Sequence, residues 1–485
     1  MSGQRKGRLS ECVEARSAVS GGILVQHAAS SFGRLRGVDH SATPVEPAVN
    51  AAAAAFPIWS RMPVAERAAV LREMITVLDA HRSEFYALAA EEIGAAQSWT
   101  AFNIDIAMGM LAHVATLAPA LDDQIVIDQK SGKQSIIRRQ AAGVVLGLVP
   151  WNAPIALGVR AIANALMCGN TVVMKGSEHC PKTHQHLVDV LNKSALPKGA
   201  LTCVLSAPED AHDTMVQLIG HPCIRRVNFT GSTRVGREVA IEAARHLKPA
   251  LLELSGKAPL IVLDDADLDA AVEAACFGAF FNQGQICMST DWIIVVRSVA
   301  DEFVTKLQAR TRQIVAADPV HKVTELGRMI SADAAQRVKG LIDDAVSKGA
   351  QLLVGGQIDG CVMQPALLDG IAANMRLYRE ETFGPLASIM RVHDAEEAVS
   401  IANDSDFGLN AAVFSRDLAR AQDIADRLEY GVVQINGPTV HDDPAMPFGG
   451  MKQSGYGRFG GTQAIAEFTE LRWIATHPDD HRPTL

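Results

Sequence analysis

A chain of 485 residues, 48% hydrophobic and 20% charged, is too long for one core and too apolar for wholesale disorder, so it folds as two or three domains. A net charge of −9 argues against nucleic acid as the main partner. Eight cysteines, with no C-x-x-C pair and no zinc-like His/Cys spacing, predict no metal site and free thiols in a reducing cytoplasm.

The first 45 residues mix Ser, Gly and Arg without periodicity, and no apolar run of signal-peptide length follows Arg5, Lys6 and Arg8. An alanine-rich segment from Pro47 to Trp59 predicts a helix. A second helical stretch over 65–80 sets Leu71, Met74, Ile75 and Leu78 on one face. Alternation at Ile125 and Ile127, a turn at Ser131-Gly132 and a return over 135–139 predict a hairpin within 124–140. The uncharged stretch 141–159 has the length of a membrane span, but Pro150, Asn152 and Pro154 interrupt it. It reads as a buried strand, a turn and a helix start, and no membrane partner is expected.

Beyond the hairpin, strands at 144–148, 171–174, 201–205 and 227–230 alternate with helices at 155–167 and 183–193. That order predicts an α/β fold, a parallel sheet covered by helices, with ligands at the carboxyl ends of the strands. The second half continues the alternation, with strands at 260–263, 292–296, 387–391 and 411–414 and helices at 270–280 and 334–348. The segment FTELRWI (468–474) predicts a strand that joins the 124–140 hairpin or another subunit.

The chemistry-bearing residues fall just after these strands or on connecting loops. FNQGQICMST (281–290) places Cys287 beside a glycine turn, and Glu253 sits 34 residues upstream in the apolar run ALLELSGKAP. A thiolate attacks carbonyl carbon and a desolvated carboxylate deprotonates water, so the pair points to acyl chemistry through a thioester. An inert buried thiol and a structural ion pair are the competing readings. Asn152, after the strand VVLGLV, offers a neutral donor to a developing oxyanion, or simply holds a turn. Lys175 and Glu178 at a strand end suit the hydroxyls of an adenosine ribose and repel a 2′-phosphate, or form a surface ion pair. Gly231 to Gly236 opens a helix whose N–H groups attract phosphate, or serves only a steric turn.

Chain order and spacing then fit one family. VPWN (149–152), VVMKGSE (172–178), NFTGSTRVG (228–236), LLELSGK (251–257), FNQGQICMS (281–289), EETFGP (380–385) and MPFGGMKQSGYGR (446–458) resemble the aldehyde dehydrogenase superfamily from about Ala48 onward. The resemblance implies a Rossmann-type dinucleotide-binding domain (1–119 and 142–253), an α/β catalytic domain (254–452) and a small β oligomerisation element (120–141 and 453–485). It implies a homodimer or homotetramer that oxidises a small-molecule aldehyde with NAD, NADP being the alternative. Cys287 becomes the nucleophile, Glu253 the base for the deacylating water, and Asn152 the partner of the Cys287 N–H at the oxyanion. Lys175 and Glu178 hold the adenosine ribose, Ser232 the pyrophosphate near Gly231, and Glu381 the nicotinamide ribose with Phe383 close by. Trp151, Gly236 and Leu254 complete the cofactor contacts. A carboxylate at position 253 favours hydrolysis over transfer to coenzyme A, because relatives that use coenzyme A generally lack it.

Within the superfamily, GQICMST, NGPTVHDDPAMPFGG (436–450), the KGSE block and FTELRWI are similar to salicylaldehyde, vanillin and benzaldehyde dehydrogenases of bacterial aromatic catabolism. The implied pocket wall is Ala153, Ala156, Leu157 and Arg160, with Ile286 and Met288 flanking the nucleophile. Two alanines one turn apart leave space for a flat ring or a branched chain. Arg160 either greets a phenolate or carboxylate at the entrance or belongs to a structural ion pair. An aliphatic or semialdehyde dehydrogenase, and a non-catalytic binding protein on the same fold, are the alternatives. Two departures stand out: the first 45 residues lack the family's usual opening, and Ser255 replaces a common glycine, where its hydroxyl is placed to influence Glu253.

Overall fold

The structure is a computed structural model that describes residues 44–129 and 133–476. Four helices come first: α1 (Val45–Trp59), α2 (Val64–Ala80), α3 (Arg82–Ile93) and α4 (Gln97–Val114). The stripe expected on α2 is present, with Leu71, Met74 and Leu78 buried and Ile75 at its edge. The sequence pattern assigns nothing to α3 and α4. Gly94, left-handed at φ 64°, ends α3, and α4 is apolar on several sides, which blurs the 3.6-residue contrast.

The hairpin follows as β1 (Gln124–Ile127) and β2 (Gln134–Ala141); its expected turn at 131–132 lies outside the described residues, as does the opening stretch 1–43. Then come β3 (Val144–Leu148), α5 (Pro154–Met167), β4 (Thr171–Lys175), α6 (Pro181–Leu191) and β5 (Leu201–Val204). After them are α7 (Ala211–Gly220), β6 (Ile224–Thr230), α8 (Thr233–Arg245) and β7 (Ala250–Glu253). The uncharged stretch 141–159 thus divides into β3, a loop and the start of α5, where Pro154 occupies a first-turn position that tolerates its missing N–H. Among the described residues no helix is long and apolar enough to cross a membrane.

β7, β6, β3, β4 and β5 lie side by side and parallel, with the short strand Gly455–Tyr456 antiparallel at the β7 edge. β3 is buried along its whole length, as a strand covered on both faces must be. Val145 packs with α2, α4 and α5 on one face, while Val144, Leu146 and Leu148 pack with α1, α7 and α8 on the other. Gly455–Tyr456, expected in the oligomerisation element, belongs to this sheet instead. Leu254 N donates to the Ser454 carbonyl at 3.1 Å and Ser454 Oγ to the Ser255 carbonyl at 2.6 Å, which fixes that edge.

A second, seven-stranded sheet is built on β8 (Ala258–Val262), after which α9 (Leu268–Phe280) leads into β9 (Thr290–Val296). Its order is Gln351–Val354, Ala366–Asp369, Leu386–Val392, β9, β8, Asn410–Phe414 and Val432–Ile435, parallel except at the first pair. Alternate residues of β9 serve opposite cores: Trp292 and Ile294 on one face, Ile293 and Val295 on the other. A third sheet joins β1, β2 and Thr469–Thr476, all antiparallel. It leaves large apolar side chains in solvent, among them Ile125 and Leu471 (59% and 61% exposed).

Candidate active site

Register gathers the site. In the first sheet Leu148 pairs with Lys175 and with Phe229, and Thr230 pairs with Glu253, so the carboxyl ends of β3, β4, β6 and β7 finish together. The Val149–Asn152 loop, the Gly231 turn and Glu253 therefore border one cleft. The opposite wall comes from the loop between α9 and β9, which carries Cys287. Asn282, Gln283 and Gly284 are left-handed in succession (φ 49°, 55° and 65°), a turn that two non-glycine residues hold only under strong local constraint. Behind Cys287 the chain after β7 crosses at Gly256, where a Cβ would stand 2.2 Å from the Cys287 carbonyl oxygen. Only glycine fits that crossing.

Asn152 is locked at both ends. Its Nδ2 donates to the Gln285 carbonyl at 3.0 Å, and its own carbonyl accepts from Trp99 Nε1 at 2.9 Å and Asn282 Nδ2 at 3.2 Å. Glu253 is 1% exposed, and burial pushes its carboxyl above the usual range, with Arg160 opposing the shift. Neither of its oxygens closes a well-formed hydrogen bond among the described residues, although the Cys287 thiol and the Thr230 hydroxyl lie close enough to favour its charge. Burial, and then the neighbouring Glu253, hold the Cys287 thiol well above its ordinary value. Each group penalises the other's anion, so the pair accommodates one negative charge rather than two.

The cleft has a volume of about 340 Å³, in the range of small-molecule and cofactor sites. Trp151, Asn152, Leu157, Glu253 and Cys287 line it at the reacting end. Gly231, Ser232, Leu254, Glu381 and Phe383 line its other part. Ser232 caps α8, its hydroxyl accepting from Val235 N at 3.4 Å. Gly236 lets that helix pack directly on Leu254, whose methyl would lie 2.3 Å from an added Cβ. Burial lifts Glu381 to about 7, while the Ser255 hydroxyl and the Gly256 N–H (3.1 Å) favour its charge. Ser255, expected to act on Glu253, thus turns towards Glu381. Lys175 and Glu178 pair at 2.9 Å at the end of β4; burial pushes Glu178 up, and Lys175 more than offsets it, leaving the carboxyl below its usual range.

Ala153, Ala156, Leu157, Ile286 and Met288 share one apolar cluster beside Cys287. Arg160 does not reach the cleft wall: it is buried in an ion pair with Asp442 and covered by the Phe448 ring at 4.3 Å. Of its two readings, the ion pair is the one observed.

Three features of the site escape the sequence reading. Trp99, Phe102 and Phe281 form an aromatic cluster in contact with that apolar group, with centroids 5.1–5.7 Å apart. Their signal is there to find: in a chain only 5% aromatic, Trp99 and Phe102 fall three residues apart on one helix. A buried pair, Lys257 and Asp291 (3.0 Å), clamps the Glu381 segment, for Lys257 Nζ donates to the Glu380 carbonyl and Thr382 N to Asp291. Lys257 stands inside LLELSGKAPLIVL, and a lysine so surrounded needs a buried partner. Arg337 also borders the cleft and donates to the Glu381 carbonyl at 3.1 Å; no sequence pattern marks it.

Residues 35–474 match the aldehyde dehydrogenase family. The chain is 50% identical over 461 residues to a vanillin dehydrogenase of Pseudomonas sp. strain HR199, covering 95% of this chain and 93% of that one. It is 44% identical over 432 residues to a salicylaldehyde dehydrogenase of Pseudomonas putida, covering 89% of each. The crystal structure of a salicylaldehyde dehydrogenase from Pseudomonas putida G7 complexed with salicylaldehyde superposes with a TM-score of 0.88 at 42% identity, over 91% of each chain. With motif order, fold and relatives in agreement, the chain belongs to the aldehyde dehydrogenase family and is an aldehyde-oxidising oxidoreductase.

Proposed function

We propose that the protein oxidises an aromatic aldehyde to its carboxylic acid with NAD. The observation that carries this reading is the cluster of Trp99, Phe102 and Phe281 beside Cys287, joined to Asn152 through the Trp99 indole. This cluster backs the apolar group whose Leu157 lines the cleft, a wall suited to a flat ring. The kinship with vanillin and salicylaldehyde dehydrogenases supports it. A semialdehyde would need a cation for its far carboxylate, but Arg160 is committed to Asp442, and Arg337, which borders the cleft, to the Glu381 and Thr382 carbonyls.

The donor set suits a dinucleotide. The N-terminus of α8 with Ser232 would take the pyrophosphate, and Lys175 with Glu178 the adenosine ribose. Glu381 would take the second ribose, and Trp151 and Phe383, edge-on at 5.9 Å, would bound the ring. A carboxylate at 178 favours NAD over its 2′-phosphorylated form. The chemistry that a bound nicotinamide supplies is acceptance of hydride from the substrate carbon.

The chain's own residues do the rest. Glu253 accepts the proton of Cys287 Sγ, and the sulfur adds to the carbonyl carbon. The oxyanion receives the second proton of Asn152 Nδ2, the first being held by Gln285, together with the Cys287 N–H. Once the carbon reaches the acyl level, the substrate is held on Cys287 as a thioester. Glu253 sheds the thiol proton to solvent and then takes a proton from water; the hydroxide adds to the thioester carbon, the C–S bond breaks, and the acid leaves with Cys287 restored as thiolate.

The test is a panel of benzaldehyde, salicylaldehyde, vanillin, hexanal and succinate semialdehyde with NAD and with NADP. The aromatic members with NAD give the highest kcat/KM; dominance by hexanal or succinate semialdehyde refutes the substrate class. Phe102→Ala lowers kcat/KM for benzaldehyde by about tenfold and for hexanal by less.

The third sheet is the proposed self-association surface, in a homodimer or homotetramer. By register Ile125 and Ile127 lie on one face and Leu471 and Trp473 on the other, all too exposed for a chain that stays alone. Light scattering of an Ile125→Asp/Leu471→Asp variant shows a smaller species than the parent; an unchanged mass removes this surface. The seven described cysteines are all free thiols, as suits a reducing cytoplasm.

A further inference from the structure

Residues 381–384, which bring Glu381 and Phe383 to the cleft, belong to no helix or strand. No ladder of backbone bonds fixes them, yet Phe383 keeps a left-handed φ of 43°, which a non-glycine residue does only under constraint. Side chains supply the constraint. Lys257, just before β8, and Asp291, on β9, are both buried and pair at 3.0 Å. Lys257 Nζ also donates to the Glu380 carbonyl at 2.7 Å. Asp291 accepts from Thr382 N at 2.9 Å and from the Thr382 hydroxyl. The pair thus grips the residue on each side of Glu381, and Arg337 adds bonds to the Glu381 and Thr382 carbonyls from the solvent side.

The same segments meet Glu381 and the Cys287 loop directly. Gly256 N, one residue before Lys257, donates to Glu381 Oε1 at 3.1 Å, so the chain that carries Lys257 also aims the carboxylate. Gly384 abuts the turn below Cys287, where a Cβ on Gly284 would stand 2.2 Å from the Gly384 carbonyl oxygen. Neither Lys257 nor Asp291 lines the cleft, so both reach it only through the backbone of 380–382. A buried ion pair is commonly no more stable than apolar residues of the same volume, and stability alone does not account for this one. We propose that Lys257 and Asp291 are positioning residues that place Glu381 for the second ribose of the dinucleotide, and so set the affinity for the nicotinamide half of NAD. The inference rests on the assignment of Glu381 to that ribose.

Comparing NAD with ADP separates this role from general support of the site. ADP carries the adenosine ribose and the pyrophosphate, assigned above to Lys175, Glu178 and Ser232, and lacks the second ribose. The variant is Lys257→Met/Asp291→Asn, which leaves no lone charge in the core and still offers Thr382 N an acceptor. Isothermal titration calorimetry of the full-length protein gives a Kd for NAD raised about tenfold, with the Kd for ADP at its wild-type value. Any result in which NAD loses no more affinity than ADP overturns the proposal. Should the double variant fail to fold, Thr382→Val decides. It removes the hydroxyl that Asp291 holds, keeps the side-chain shape, and raises the Kd for NAD about threefold relative to ADP; an unmoved ratio overturns the proposal. Failure of the Glu381 assignment reads out separately. Glu381→Gln with an unchanged ratio of NAD to ADP affinity removes that assignment, whereas a shifted ratio there beside an inert double variant removes only the positioning role.

Discussion

Replacing Cys287 by alanine leaves a folded protein that binds dinucleotide and oxidises aldehyde at least about 10⁴-fold more slowly. The expectation follows from how little else in the cleft can attack a carbonyl. Glu253 is a buried base, Asn152 is a neutral amide fixed by Gln285, and Ser232 caps its own helix. Folding should be spared because Cys287 is held mainly by its backbone, through the Gly256 crossing and the left-handed turn at 282–284. Loss of a small thiol in a site that already encloses a cleft leaves little new void. Rapid-quench measurement of aldehyde oxidation, paired with dinucleotide titration by fluorescence, gives both quantities. Turnover within tenfold of wild type by Cys287→Ala would be incompatible with a thioester route.

Glu253→Gln carries the second large effect, with a stability change of opposite sense. Turnover falls by about 10²–10⁴-fold, because one carboxylate serves both the thiol and the hydrolytic water. The first reduced-nicotinamide burst slows as well, since the amide cannot accept the Cys287 proton. Stability moves the other way. Burial holds the folded Glu253 above its unfolded carboxyl value, so its contribution is full below the unfolded value and is lost as pH rises through the folded one. Glutamine has no such loss, and at neutral and alkaline pH the variant melts at a higher temperature than wild type. Differential scanning fluorimetry across pH reads the sign; a melting temperature that drops at pH 8 would show that Glu253 has a stabilising partner after all.

Much of this is legible in the chain, for reasons that can be assigned to residues. Strands such as 144–148 and 292–296 are continuous apolar runs, which is how a doubly covered strand must read. Asn152 follows β3 and Glu253 ends β7, where register brings the strand ends to one cleft, and Cys287 meets them from the loop between α9 and β9. What stays hidden depends on contacts far apart in sequence. Asp442 pairs with a residue 282 positions away, and Trp99 with Asn152 across 53. Charge partners at that separation leave no local periodicity, and so Arg160 keeps two readings until the fold decides between them. α4 escapes for a different reason: its exposed stripe is narrow, Ser98, Asp105 and Ala112, and too little more polar than its flanks to reveal the period.

The attachment of the aromatic cluster has a practical side. Trp99 donates to the oxyanion residue itself, whereas Phe102, one turn along the same helix, touches the cluster only through its ring. Anyone re-tailoring this enzyme for bulkier or more slender aldehydes therefore has one adjustable screw and one fixed rivet on the same surface. Trimming or enlarging side chain 102 retunes the fit and leaves the reaction centre aligned, while any change at 99 alters selectivity and machinery together.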